Sequence, residues 1–284
     1  MFIKKLLRRF VPKSVAGWIA YRLPTRTVTY SQYAEDVLLK KILAQTKGFY
    51  VDIGAFHPKF GSNTHRLWKQ GWRGINIDVD DYKIAQFRRF RPHDINLTLG
   101  VSSEETKRTF YIQETDSYGS MSSFEKEFAT DRSEALNRRV VSREVQVCQL
   151  NTLLDKHLPR NDDGSLTDID LLCIDVEGHE YEILRTFDFH RYRPACVCVE
   201  IHAHRIADLI ETTTFQLLEM NGYQMVAWPA PSCIFSRISE KEGSPTTVQH
   251  DSLSATDYDQ LPYKLKIMSS APTKASSVPS PSSS

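Results

Sequence analysis

The sequence predicts an α/β domain with a mostly parallel sheet, helices on both faces and an antiparallel hairpin at its C-terminal end. Three observations predict it. Between residues 31 and 238, short apolar β-rich runs alternate with helix-patterned segments, as strands joined by crossover helices do. FYVDIG, GINID, IDLLCIDVE and ACVCVEIH are nearly continuous apolar runs, the form of strands covered on both faces. The last two runs, YQMVAW and SCIFSRI, follow each other with no helix between them, which reads as a hairpin.

The elements follow in order. SQYAEDVLLKKILAQ has a helical pattern with Ser31 as its N-cap. FYVDIG is the first strand, SNTHRLWKQGW a helix, GINID the second strand and DYKIAQFRRF a second helix. Residues 95–101 form the third strand. Within residues 107–149, RTFYIQ and REVQVCQL read as strands flanking a polar stretch, an insertion or lid. IDLLCIDVE is the fourth core strand, HEYEILRTF the helix after it and ACVCVEIH the fifth strand. A helix over residues 206–221 and the hairpin complete the domain. In a Rossmann-like sheet of this kind, ligands sit at the carboxyl ends of the strands, near the topological switch point.

Composition bounds the function. The 284 residues are 40% hydrophobic and 25% charged, an ordinary globular balance in a chain long enough to bury a core unaided. A formal net charge of +1 argues against a whole-molecule field tuned for nucleic acid. Three zones separate: a basic segment over 1–30, the α/β domain over 31–238, and a Ser/Pro-rich stretch over 239–284 with too little apolar content to order itself. The five cysteines lie mostly in strand-like runs without a second pair to complete a zinc site, and read as reduced thiols of a cytoplasmic protein. No apolar run approaches the roughly 20 residues that cross a bilayer, and Lys4, Lys5, Arg8 and Arg9 interrupt any signal-type core. Ile3, Leu6, Leu7 and Phe10 fall on one helical face, opposite most of those bases. Residues 1–24 could thus touch an anionic membrane surface peripherally, or pack on the domain or a partner.

Four strand ends carry chemistry. In Val51-Asp52-Ile53-Gly54-Ala55, Gly54 permits a tight turn and Asp52 is placed to accept hydrogen bonds from a ligand ammonium. The loop lacks the three glycines of a dinucleotide fingerprint, which disfavours a pyrophosphate cofactor such as NAD. Asp78 ends the second strand, about 26 residues beyond Asp52, where an acid can hold ribose hydroxyls. The runs Ile174-Asp175-Val176-Glu177-Gly178-His179-Glu180 and Glu200-Ile201-His202 gather acids and histidines at the same sheet edge. Such a group can align an alcohol, take up its proton, or bind a divalent ion such as Mg²⁺ that acidifies it. Each signal alone has a bland alternative: Gly54 a structural turn, Asp78 a helix cap, His179 and His202 surface residues.

SQYAEDVLL, YVDIGAFHP, SNTHRLWKQGWRGINID, RPHD, LLCIDVEGHEYEIL and VCVEIH, in that order and spacing, resemble the FkbM-type methyltransferase family over roughly residues 31–238. The resemblance implies a Rossmann-like methyltransferase domain that uses S-adenosylmethionine, commonly to O-methylate sugars or other natural-product hydroxyls. It implies that Asp52, Gly54 and the adjoining Ala55 lie on the methionine-binding loop, Asn63 beside the cofactor and Asp78 on the ribose. Asp175, Glu177 and Glu200 fall at the catalytic edge, where they are also the acids open to a metal. Two departures matter. Val79-Asp80-Asp81-Tyr82 replaces an Asn-Pro-like turn, which leaves Asp78 and Asp80 as rival ribose ligands. His179 stands where the family often has a small residue and is a candidate base of this chain, beside His202. The expectation is a cytoplasmic O-methyltransferase for a small-molecule or glycan hydroxyl; the alternative is a methyltransferase-like binding or scaffold module without catalysis.

Overall fold

Apolar runs with no polar face belong in the middle of a sheet, and that is where they lie. The computed structural model describes residues 27–113, 122–127, 130 and 139–238. Its main sheet has seven strands in the order β3-β2-β1-β7-β8-β10-β9. These are β1 (Phe49–Ile53), β2 (Arg73–Asp78), β3 (Ile95–Thr98), β7 (Leu171–Ile174), β8 (Cys196–Glu200), β9 (Tyr223–Ala227) and β10 (Ser232–Arg237). The first five are mutually parallel, and β10 runs antiparallel to both β8 and β9, as the hairpin predicted. From β1 the chain builds outward to β2 and β3, then returns to add β7 and β8 on the other side. The carboxyl ends of β1 and β7 therefore flank the switch point.

One face carries a cluster of Leu39, Tyr50, Trp72, Cys173, Cys196 and Cys198, where Leu39 comes from α1 (Glu35–Ile42). All five cysteines are free, and four are buried. The opposite face buries a larger cluster under α4 (Leu150–His157), α5 (Glu180–Leu184) and α8 (Thr213–Met220).

Several boundaries depart from expectation. Ser31 lies outside α1, whose N-cap is Ala34 at φ 67°; the Ser31 hydroxyl accepts from the Asp36 amide and donates to its carboxylate. SNTHRLWKQGW contains only one turn of helix, α2 (His65–Trp68), ended by Gly71 at φ 96°. DYKIAQFRRF is α3 (Asp81–Phe90), as read. The expected strand over 95–101 divides: β3 stays in the main sheet, and β4 (Gly100–Val101) pairs with a second one. The crossing point needs a glycine, since a Cβ at Gly100 would sit 2.7 Å from both Phe124 and Val147.

That second sheet, β4-β6-β5, joins β5 (Thr106–Gln113) to β6 (Val140–Cys148) antiparallel along their full length. Two helices, α4 and α6 (Phe189–Tyr192), were not expected, and the helix over 206–221 splits into α7 (Ile206–Ile210) and α8, with Thr212 capping the second through Phe215 N at 3.3 Å. The chain divides into the units Met1–Ile238 and Ser239–Ser284, and the described residues fall in the first. The amphipathic reading of residues 1–24 and the Ser/Pro-rich stretch lie outside the described residues. Among the described residues, no helix is long and apolar enough to cross a membrane.

Candidate active site

Strand ends at a switch point leave a crevice because the chain departs to opposite sides. Here it is a cleft of about 310 Å³ whose walls include Gly54, Asp78, Val101, Asp175, Glu177 and Glu200. Acids thus meet there from β2, β7 and β8, as predicted.

At the β2 end, Asp78 is 7% exposed and accepts from Asp80 N at 2.9 Å and Phe56 N at 3.2 Å. Lys83 Nζ stands 3.6 Å from its Oδ2. Burial raises the Asp78 pKa, and the Lys83 charge opposes the rise. Asp80 instead caps α3, accepting from Tyr82 N at 2.9 Å, and is absent from the cleft wall. Of the two rivals, only Asp78 faces the cleft.

The first-strand residues divide. Gly54 lines the cleft at φ 76°, but a Cβ there would lie 1.7 Å from the Asp175 carbonyl oxygen. The glycine is needed for the β1–β7 approach first. Asp52 lies behind the wall: it is 6% exposed, accepts from Thr64 Oγ1 at 2.7 Å, and burial raises its pKa to about 6. Ala55 packs with Ile84 and Phe87. Neither Ala55 nor Asn63 is among the residues that line the cleft, and from behind the wall Asp52 is placed to act on a ligand through water, one of the two ways the sequence allowed. Alternation along β1 turns Asp52 to the α1–α2 face, and the turn at Gly54 sends Ala55 into the core.

At the other end, Asp175 and Glu200 share a hydrogen bond, and desolvation leads the causes that raise both pKa values. Glu200, with its side chain 11% exposed, is pushed up to about 10 by burial and then by the Asp175, Glu177 and Glu180 charges. Burial thus pushes the Asp175–Glu200 pair as a whole toward holding a proton. His202 Nε2 is 3.6 Å from Glu200 Oε2. Glu177, Glu200 and His202 each offer a ligand atom within 4.8 Å of the others; Asp175, expected with the two glutamates, is not in that group.

His179 is not at the cleft. It is 0% exposed, with Nδ1 2.7 Å from Glu125 Oε1 and Nε2 3.0 Å from Ser102 Oγ. The candidate base of the sequence thus has both ring nitrogens engaged behind the wall, away from where an acceptor would lie. The backbone causes this: Glu177 at φ 56° and Gly178 at φ 97° break the strand-like alternation after Asp175.

Sequence reasoning missed several wall residues. Phe56, Lys83 and Phe124 all line the cleft. Phe56 has φ 55°, and Lys83 lies over its ring at 5.1 Å. Glu180 organises the acidic loop, accepting from Val176 N at 3.1 Å and Gly178 N at 3.1 Å, while burial raises its pKa to about 7. Its position three residues beyond Glu177, ahead of an apolar helix, was the available signal.

A switch-point cleft with an acid ending β2 and further acids ending β7 and β8 defines a Rossmann-like methyltransferase class of site. Residues 52–225 match the Methyltransferase FkbM domain, more than half of the chain, and the protein belongs to that family of S-adenosylmethionine-dependent methyltransferases. A solved TehB-like SAM-dependent methyltransferase from Corynebacterium glutamicum is 12% identical, with 79% of this chain and 96% of that chain aligned at a TM-score of 0.36. The curated proteins include no significant match.

Proposed function

We propose that the protein transfers the methyl group of S-adenosylmethionine to a hydroxyl of a sugar, a polysaccharide precursor or a similar natural product. The observation that carries this reading is the polarity of one cleft, with a single buried acid at the β2 end and a proton-holding acid group with an imidazole at the β7–β8 end. Asp78 suits the ribose hydroxyls, and Val79, Leu99 and Val101, which also line the cleft, suit an adenine. The acid group disfavours a carboxylate acceptor by charge and suits an alcohol, whose proton must leave as it is methylated.

Methyl transfer from a sulfonium is an in-line displacement, so alignment supplies much of the rate. His202 takes the hydroxyl proton as the new O–C bond forms and the S–C bond breaks, which leaves a neutral thioether. Glu177, with a carboxylate oxygen within 4.8 Å of the ring, offsets the imidazolium charge. A divalent cation is a second reading, favoured by the convergence of Glu177, Glu200 and His202. It would displace the Glu200 proton and acidify the alcohol, and an imidazole among the donors suits a transition metal better than Mg²⁺.

Incubation with methyl-labelled S-adenosylmethionine and a panel of glycosides tests the reading. Label in base-stable ether linkages, lost in His202→Ala, is expected. Label on nitrogen or in base-labile esters contradicts it. Cofactor binding with no transfer throughout the panel favours a non-catalytic binding module. Chelation and metal add-back separate the two activation schemes.

A further inference from the structure

His179 is fully buried, yet its chief partner, Glu125, has a side chain 40% exposed. A histidine that merely filled the core would need no such acid. Arg108 Nη1 lies 3.2 Å from His179 Nε2 and 3.1 Å from Ser102 Oγ. Two donors therefore meet at Nε2, which accepts, and the ring proton sits on Nδ1, where it is given to Glu125.

Glu125 lies in a short segment that pairs antiparallel with the edge of β5. Ser123 in that segment pairs with Tyr111, and its hydroxyl donates to the Glu177 carbonyl at 2.6 Å. Phe124 packs 5.3 Å from the His179 ring and lines the cleft opposite Gly100. One imidazole thus ties the aromatic wall to the loop that carries Glu177.

We propose that His179 is a positioning residue that clamps residues 122–125 over the cleft, so that Phe124 walls the cofactor while the Glu177 loop keeps its shape. The clamp rests on the cofactor reading above. It has no part in taking the acceptor proton.

Calorimetric titration with S-adenosylhomocysteine of the full chain and of Glu125→Ala, His179→Ala, the double variant and His179→Asn tests it. Each single alanine variant is expected to weaken binding about tenfold, the scale of one charged hydrogen bond. The double variant should bind no worse than either single, because both remove one contact. His179→Asn, whose amide can still donate to Glu125, should recover most of the affinity. Wild-type affinity in Glu125→Ala, or additive losses in the double variant, overturns the clamp; the exposed Glu125 site keeps the test valid if His179→Ala does not fold. No binding by the wild-type chain overturns the cofactor reading and the clamp with it.

Discussion

Burial, and then the charges of Asp175, Glu177 and Glu180, push the Glu200 carboxyl up to about 10. A carboxyl whose folded pKa is raised favours the folded state fully below its unfolded pKa of 4.5. That contribution is lost as pH climbs toward the folded value of about 10. Glu200→Gln mimics the protonated acid, so it should leave stability unchanged near pH 4 and raise it by about 1 kcal/mol or more at pH 8. Chemical denaturation at the two pH values checks this, and an equal or lower stability at pH 8 contradicts it. Loss of transfer activity should accompany the gain. At this scale the sequence was only partly legible. Asp78, Asp175, Glu177 and Glu200 could be placed at strand ends because an acid closing an apolar run sits at a sheet edge. His179 could not, because the positive φ angles at Glu177 and Gly178 decide its side, and only one of those residues is a glycine.

The loop from β1 to α2 depends on one buried cation supplied by the end of α3. Arg91 is 1% exposed and donates to the Pro58 carbonyl, Ser62 Oγ at 3.0 Å, Thr64 Oγ1 at 2.9 Å and the Tyr50 hydroxyl at 3.2 Å. Tyr50 in turn donates to Asp94, and Thr64 to Asp52. This explains why YVDIGAFHP, SNTH and RPHD occur together: the pieces form one polar network behind the cleft. Arg91→Ala should cost about 3 kcal/mol or more, since it leaves several buried acceptors without their donor and removes a cation acting on Asp94. Arg91→Lys should not rescue it, because one ammonium cannot reach those acceptors in a fork. A loss under about 1 kcal/mol in denaturant unfolding would contradict the network's role. The same network holds Asp52 behind the cleft wall through Thr64. Elements with a strong local period, such as α3 and the β9–β10 hairpin, were legible; α4 was missed although Leu150, Leu153 and Leu154 mark its buried face.

Most of the main sheet could be read from alternation alone, because four buried parallel strands demand continuous apolar runs and crossover helices between them. The second sheet was legible only as two strands. Its pairing with β4 depends on Gly100 leaving the main sheet, a tertiary event with no local period. The molecule that results concentrates function at one edge, where Asp78 and the Asp175–Glu200 pair face each other across a single cleft. The central claim is that this cleft holds S-adenosylmethionine with Asp78 at its ribose. Calorimetric titration of the wild-type chain and Asp78→Asn with S-adenosylmethionine, and with NAD as control, tests it most directly. Binding of S-adenosylmethionine alone is expected, weakened about tenfold or more in Asp78→Asn as a buried charged hydrogen bond is lost. No binding, or equal affinity in the variant, would contradict it.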